Sequence, residues 1–134
     1  MKGSAVLTSE LDHWIDELRR RRWSFYYFPN RHAPEIVAAV WLWHECADVI
    51  LLYREDKMVA FRTPDVGDPL CPEWVTAFYG TDDQTTTVWV IRWALGLPEP
   101  GTDQESHYVH LMSAPASCRV ERARPMVHRP GVQA

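Results

Sequence analysis

Three apolar runs between residues 36 and 63 restrict the fold of this chain more than any other feature. Ile36, Val37, Ala38, Ala39, Val40, Trp41, Leu42 and Trp43 are apolar at every position, and residues 49–54 and 58–63 flank Glu55, Asp56 and Lys57 like the arms of a hairpin. Taken alone, the first run fits a buried strand or a buried helix. Its β-branched and aromatic content, and the hairpin beyond it, select the strand. Upstream, Trp23, Phe25, Tyr26, Tyr27 and Phe28 put aromatic rings on both faces of an extended segment, which Pro29 and Asn30 end in a turn.

Helices are expected on either side of this β-rich centre. Leu11, Trp14, Ile15 and Leu18 follow the i, i+3, i+4, i+7 spacing of one apolar stripe, predicting a helix over 9–22. Ser9 is placed to cap it, Glu10 and Asp12 fall in its first turn, and Arg19, Arg20, Arg21 and Arg22 crowd its last. Residues 64–72 hold three prolines, a glycine and two aspartates and read as a loop leading to a fifth strand over 74–79. A second helix is predicted over 88–95, with Thr85, Thr86 and Thr87 offering caps and Gly96 and Pro98 ending it. The expected architecture is α+β: an antiparallel sheet of four to six strands with two packed helices. Residues 1–112 form the single domain, with a short strand over 107–112. Residues 113–134, rich in arginine and proline, read as an extended or partly disordered tail.

A chain of 134 residues suffices for one domain with a proper core, and its longest apolar run falls far short of the roughly 20 residues that cross a bilayer. The N-terminus turns polar by Thr8, before the apolar stretch of a signal peptide is built, so a cytoplasmic location is expected. Cys46, Cys71 and Cys118 are odd in number and widely spaced, which reads as reduced thiols. Charge is unevenly spread. Residues 65–105 carry eight acidic side chains against Arg92 alone, a net −7, whereas the chain from Cys118 onward is net +3. Such asymmetry favours oppositely charged partners or a second copy of the same chain.

Several constellations invite a chemical reading. His44 and Cys46, two apart on one face of a strand, together with His107 and His110, would supply four metal ligands, but without the tight pairs of structural zinc sites. Loop histidines and a core cysteine are the simpler reading, and no metal or cofactor is expected. Cys46 beside Glu45 and His44 does not make a nucleophile, because strand alternation turns Glu45 away from Cys46. Asp82 and Asp83 precede a helix start, where the dipole already favours them and phosphate is disfavoured. Arg19 to Arg22 followed by Trp23, Phe25 and Tyr27 is the best case for nucleic acid. The acidic middle of the chain argues against it, and so does the ordinary core role of an aromatic strand.

The segment from Val88 to Pro98 is the most distinctive. On a helix Trp89 and Trp93 share one face, and Arg92 comes within stacking reach of Trp89. Apart from Arg92 this helix is apolar all round, so it belongs in the core or at an interface, the core being the simpler assignment. Together with residues 47–54, this segment resembles a pattern in small uncharacterised actinobacterial proteins, and that resemblance implies no activity. The arginine-rich composition, with twelve Arg to two Lys, agrees with such a GC-rich origin. Seven tryptophans exceed what a small core readily hides. Trp14, Trp23 and Trp74 are assigned to helix or sheet packing, which leaves Trp41, Trp43, Trp89, Arg92 and Trp93 as the candidate binding residues. The reading favours a non-catalytic interaction or accessory protein that binds a protein partner or self-associates, with nucleic acid and membrane disfavoured. The alternative is a small-molecule binding protein or tailoring enzyme whose aromatic pocket holds an apolar ligand, with His44 or a nearby carboxylate as its polar contact.

Overall fold

The computed structural model describes residues 2–30, 32–54, 57–81, 87–102, 110–120 and 126–128. Helix α1 spans Lys2–Arg20, starting seven residues earlier than its apolar stripe suggests. Ser9 therefore lies inside the helix and not at its N-terminus, and the first turn of α1 carries no acidic residue. Leu11 and Leu18 are buried, with Trp14 and Ile15 half-buried beside them, so the apolar stripe faces the core as spaced.

The end of α1 sets how the chain enters the sheet. Arg22 adopts the left-handed conformation at φ 67°. Its N–H donates to the Arg19 carbonyl at 3.0 Å, and the Trp23 N–H donates to the Leu18 carbonyl at 3.1 Å. These two bonds close a Schellman motif with arginine where glycine is usual. The accompanying hydrophobic contact is Trp23 with Leu18, both buried in one cluster. The motif turns Trp23 inward and leaves Arg21 half-exposed above it, held by Glu17.

Strands β1 (Ser24–Phe28), β2 (Ile36–Leu42), β3 (Ala47–Arg54), β4 (Lys57–Thr63), β5 (Trp74–Val75) and β6 (Ala77–Thr81) come next, then α2 (Thr87–Leu95) and β7 (Met112–Ser113). A 3-10 turn at Ala116–Cys118 and strand β8 (Met126–His128) complete the order. Six of the strands form one antiparallel sheet in the order β6-β4-β3-β2-β1-β8. The fold is α+β, as the sequence pattern predicts. One predicted strand divides: Thr76 breaks residues 74–79 into β5, which pairs with β7 in a separate two-stranded sheet, and β6, which joins the main one.

Both faces of the main sheet are covered, which is why its strands are apolar without alternation. On one face, Phe25, Tyr27, Ala39, Ile50, Met58 and Ala60 pack against Leu11 and Leu18 of α1 and against Val90, Ile91 and Ala94 of α2. On the other, Ala38, Val40, Val49, Leu51, Val59 and Phe61 meet Val75, Ala114, Cys118 and Val120. Residues 113–120, which the sequence pattern assigns to a tail, thus bring three side chains into the core. They are tied there by hydrogen bonds from the Val120 N–H to the Leu70 carbonyl (2.7 Å), from Arg119 Nε to the Pro72 carbonyl (3.1 Å) and from the Tyr53 hydroxyl to the Ser117 carbonyl. None of the helices is long and apolar enough to cross a membrane among the described residues.

Candidate functional site

The β3–β4 register places Asp48 directly opposite Arg62. Both fall on the helix-covered face, where they are 3% and 4% exposed. Charge at such depth requires compensation. Arg62 provides it in a two-pronged pair, Nε to Oδ1 at 2.6 Å and a terminal nitrogen to Oδ2 at 3.0 Å. Oδ2 accepts a further bond from the Trp43 indole N–H at 2.9 Å. Trp43 comes directly after the last residue of β2 and opens a turn closed by its own N–H to the Cys46 carbonyl at 2.8 Å. Its ring is therefore fixed at both ends, by the turn and by the buried carboxylate, with the Arg62 guanidinium 6.0 Å from its centroid.

Trp41 meets Trp43 edge-on, with centroids 6.0 Å apart and planes at 81°. Trp23 lies 6.5 Å from Trp41 at 34°. The three indoles wall a cleft of about 220 Å³, with Asp48 and Arg21 also lining it and Ala94, Leu95 and Leu97 at the end of α2 facing them. An adjoining cleft of about 470 Å³ shares Trp43 and is lined by His44, Glu45, Cys46, Arg62, Thr76 and Glu99, among others.

Of the five candidate binding residues, Trp41 and Trp43 line the first cleft, and Trp89, Arg92 and Trp93 lie on the opposite side of α2 from its buried Val90, Ile91 and Ala94. Trp89 is 54% exposed, so α2 contributes one face to the core and is not buried all round. Arg92 stacks over Trp89 at 4.7 Å and also approaches the Trp14 ring at 5.9 Å. Trp93 is half-buried and stacks on Tyr79 of β6, with centroids 5.6 Å apart. The structure thus separates the candidates into an aromatic cleft and an outward helical face. Trp74, assigned to sheet packing, sits exposed in the small sheet near exposed Leu111 and Met112.

The other constellations resolve differently from their spacing. His44 and Cys46 lie in the turn between β2 and β3, not on a strand, and His107 lies outside the described residues. Among the described residues, no group of three or more His, Cys, Asp or Glu side chains is placed to hold a metal. Trp23, Phe25 and Tyr27 are buried, so they form no open stacking surface for successive nucleic-acid bases, and Arg19, Arg20 and Arg21 are engaged by Asp16 and Glu17. Asp82 and Asp83 lie outside the described residues. Cys118 is wholly buried, and burial pushes its thiol from 9.0 up to about 12, a shift that the neighbouring Arg119 only partly opposes. It is a packing residue without nucleophilic character.

Composition and spacing do not single out Asp48 and Arg62, although each is the one charged residue in an otherwise apolar stretch of its strand. Comparison with protein-family models, curated proteins and solved structures finds no match.

Proposed function

We propose that the chain is a non-catalytic interaction protein that binds another protein chain, a second copy of itself in the first instance, through the outward face of α2. The observation that carries this reading is Trp89, more than half open to solvent with the Arg92 guanidinium laid over its ring. A helix whose outward side carries Trp89 and Trp93 in place of polar residues leaves apolar area that a partner would cover. Tryptophan and arginine are also the side chains that dominate binding energy at interface centres. The opposite charge surpluses of the middle and end of the chain suit attraction between two copies.

The test is mass against concentration by light scattering or sedimentation. The wild-type chain rises from its 15.6 kDa monomer toward twice that mass, and Trp89→Ala weakens the association by about 30-fold or more while leaving the unfolding midpoint unchanged. A wild-type chain that remains monomeric at millimolar concentration removes self-association. A second reading, small-molecule binding, is favoured by the cleft between Trp23, Trp41 and Trp43, whose concave aromatic walls are of the kind that hold a ligand.

A further inference from the structure

We propose that the cleft walled by Trp23, Trp41 and Trp43 binds a small aromatic carboxylate, its ring held by the indoles and its carboxylate by Arg21. This inference rests on the small-molecule reading and assigns the chemical class of the ligand.

Size sets the first limit. A cleft of about 220 Å³ accommodates one six-membered ring with a short substituent, since an apolar cavity of about 150 Å³ already holds a benzene. Because the Trp41 and Trp43 planes stand at 81°, a flat guest laid parallel to the Trp41 ring would stack on it and meet the Trp43 ring edge-on.

Charge sets the second limit. Asp48, the acid lining the cleft, already accepts three N–H bonds, and its charge is cancelled by Arg62. It therefore has little attraction left for an ammonium group. The carbonyls of Arg92, Trp93 and Ala94 at the end of α2 are likewise occupied, by the N–H groups of Gly96 and Leu97. Arg21 is differently placed. Glu17 accepts from Arg20 at 3.0 Å through one oxygen and from Arg21 at 3.1 Å through the other, so one carboxylate serves two guanidinium groups. Arg22, exposed beside them, adds further positive charge. An anion at this end of the cleft is favoured, and a cation is opposed.

Three probes of one shape and different charge test the assignment: phenylacetate, phenylacetamide and phenethylammonium. Binding is followed through the indole N–H signals of ¹⁵N-labelled protein, with the Trp23, Trp41 and Trp43 signals identified by single Trp→Phe variants. Phenylacetate should shift these signals saturably and bind about threefold to tenfold more tightly than the amide, with the ammonium weakest. Arg21→Gln should erase the difference between acid and amide and leave amide binding as it was. Should Arg21→Gln lower the unfolding midpoint, the wild-type salt dependence decides instead: added NaCl must weaken phenylacetate binding and spare the amide. Equal binding of all three probes, or tightest binding of the ammonium, overturns the carboxylate assignment while leaving a small-molecule cleft in place. No shift of these signals with any probe overturns both.

Discussion

Replacing Arg62 with methionine removes the guanidinium from the buried pair while keeping a long apolar stem in place. Asp48 is then left with a full charge at 3% exposure and loses two of the three N–H donors it accepts from Arg62 and Trp43. With charge centres about 4 Å apart and an effective dielectric near 20, the lost attraction is about 4 kcal/mol. Removing one member of a buried pair costs about 3–5 kcal/mol in measured cases, of the same size. A domain is stable by about 5–15 kcal/mol, so Arg62→Met should remove about a quarter or more of the total. In urea, with a slope of about 2 kcal/mol per molar, the unfolding midpoint should fall by about 2 M. The double variant Asp48→Leu/Arg62→Met removes both charges together, and its main new cost is the Trp43 N–H left without an acceptor, about 1–3 kcal/mol. It should therefore be more stable than Arg62→Met alone, giving a coupling of about 2 kcal/mol or more in the cycle. A loss below about 1 kcal/mol for Arg62→Met, or a double variant that loses the sum of the two singles, would refute the argument that this pair is a desolvated, mutually compensated unit.

Two further predictions concern the ends of the core. Arg22→Gly should raise stability by about 0.5 kcal/mol, because glycine enters the left-handed conformation freely and the relief of about 1–2 kcal/mol outweighs its greater unfolded-state freedom; a lower thermal midpoint would show that the Arg22 side chain contributes more than its backbone costs. Cys118 should resist a thiol reagent under native conditions while the partly exposed Cys46 and Cys71 react, and all three should react once the chain is unfolded. Because the folded thiol sits near 12 and the unfolded one near 9.0, the unfolded state releases this proton first as pH rises. Stability should therefore fall by about 1.4 kcal/mol per pH unit from about pH 9 toward pH 12 through this group, with no contribution below pH 9. The slope difference between wild type and Cys118→Ala isolates it, and parallel curves would count against the shift.

The sheet was legible because its strands are apolar on both faces and carry β-branched residues, which marks buried strands wherever the covering layers come from. What covers them was not legible. Residues 113–120 have no periodicity, and only the hydrogen bonds from Tyr53, Arg119 and Val120 show why they fold back onto the sheet. The Asp48–Arg62 pair was hidden by register. A three-residue turn at Glu55, Asp56 and Lys57 pairs Arg54 with Met58 and sets Asp48 opposite Pro64. The strands instead pair Arg54 with Lys57, and an irregularity between Leu52 and Arg54 shifts the ladder again, bringing Asp48 to Arg62. Two local details thus decide whether a carboxylate meets a guanidinium, and apolar patterning encodes neither. Trp89 is singled out by the sequence, but its exposure is not, because a helix that is apolar all round looks the same whether its second face meets the core or water.

That ambiguity in α2 also explains how one short helix can serve two surfaces. Nine residues are too few for a helix to persist alone in water, so α2 depends on Val90, Ile91 and Ala94 packing against the sheet and α1. Of its outward side chains, Trp89 is largely relieved of holding the fold and meets Arg92 at the surface, whereas Trp93 stacks on Tyr79 at the sheet edge and packs against the core. Its last residues, Ala94 and Leu95, face the indole cleft, where the buried Asp48 fixes Trp43 in position. Under the proposed function, stability and recognition fall on different faces of the same element. Substitutions at Val90 or Ile91 should act on folding, those at Trp89 on association, and those at Arg21 on the charge preference of the cleft, because each group sits in a different set of contacts.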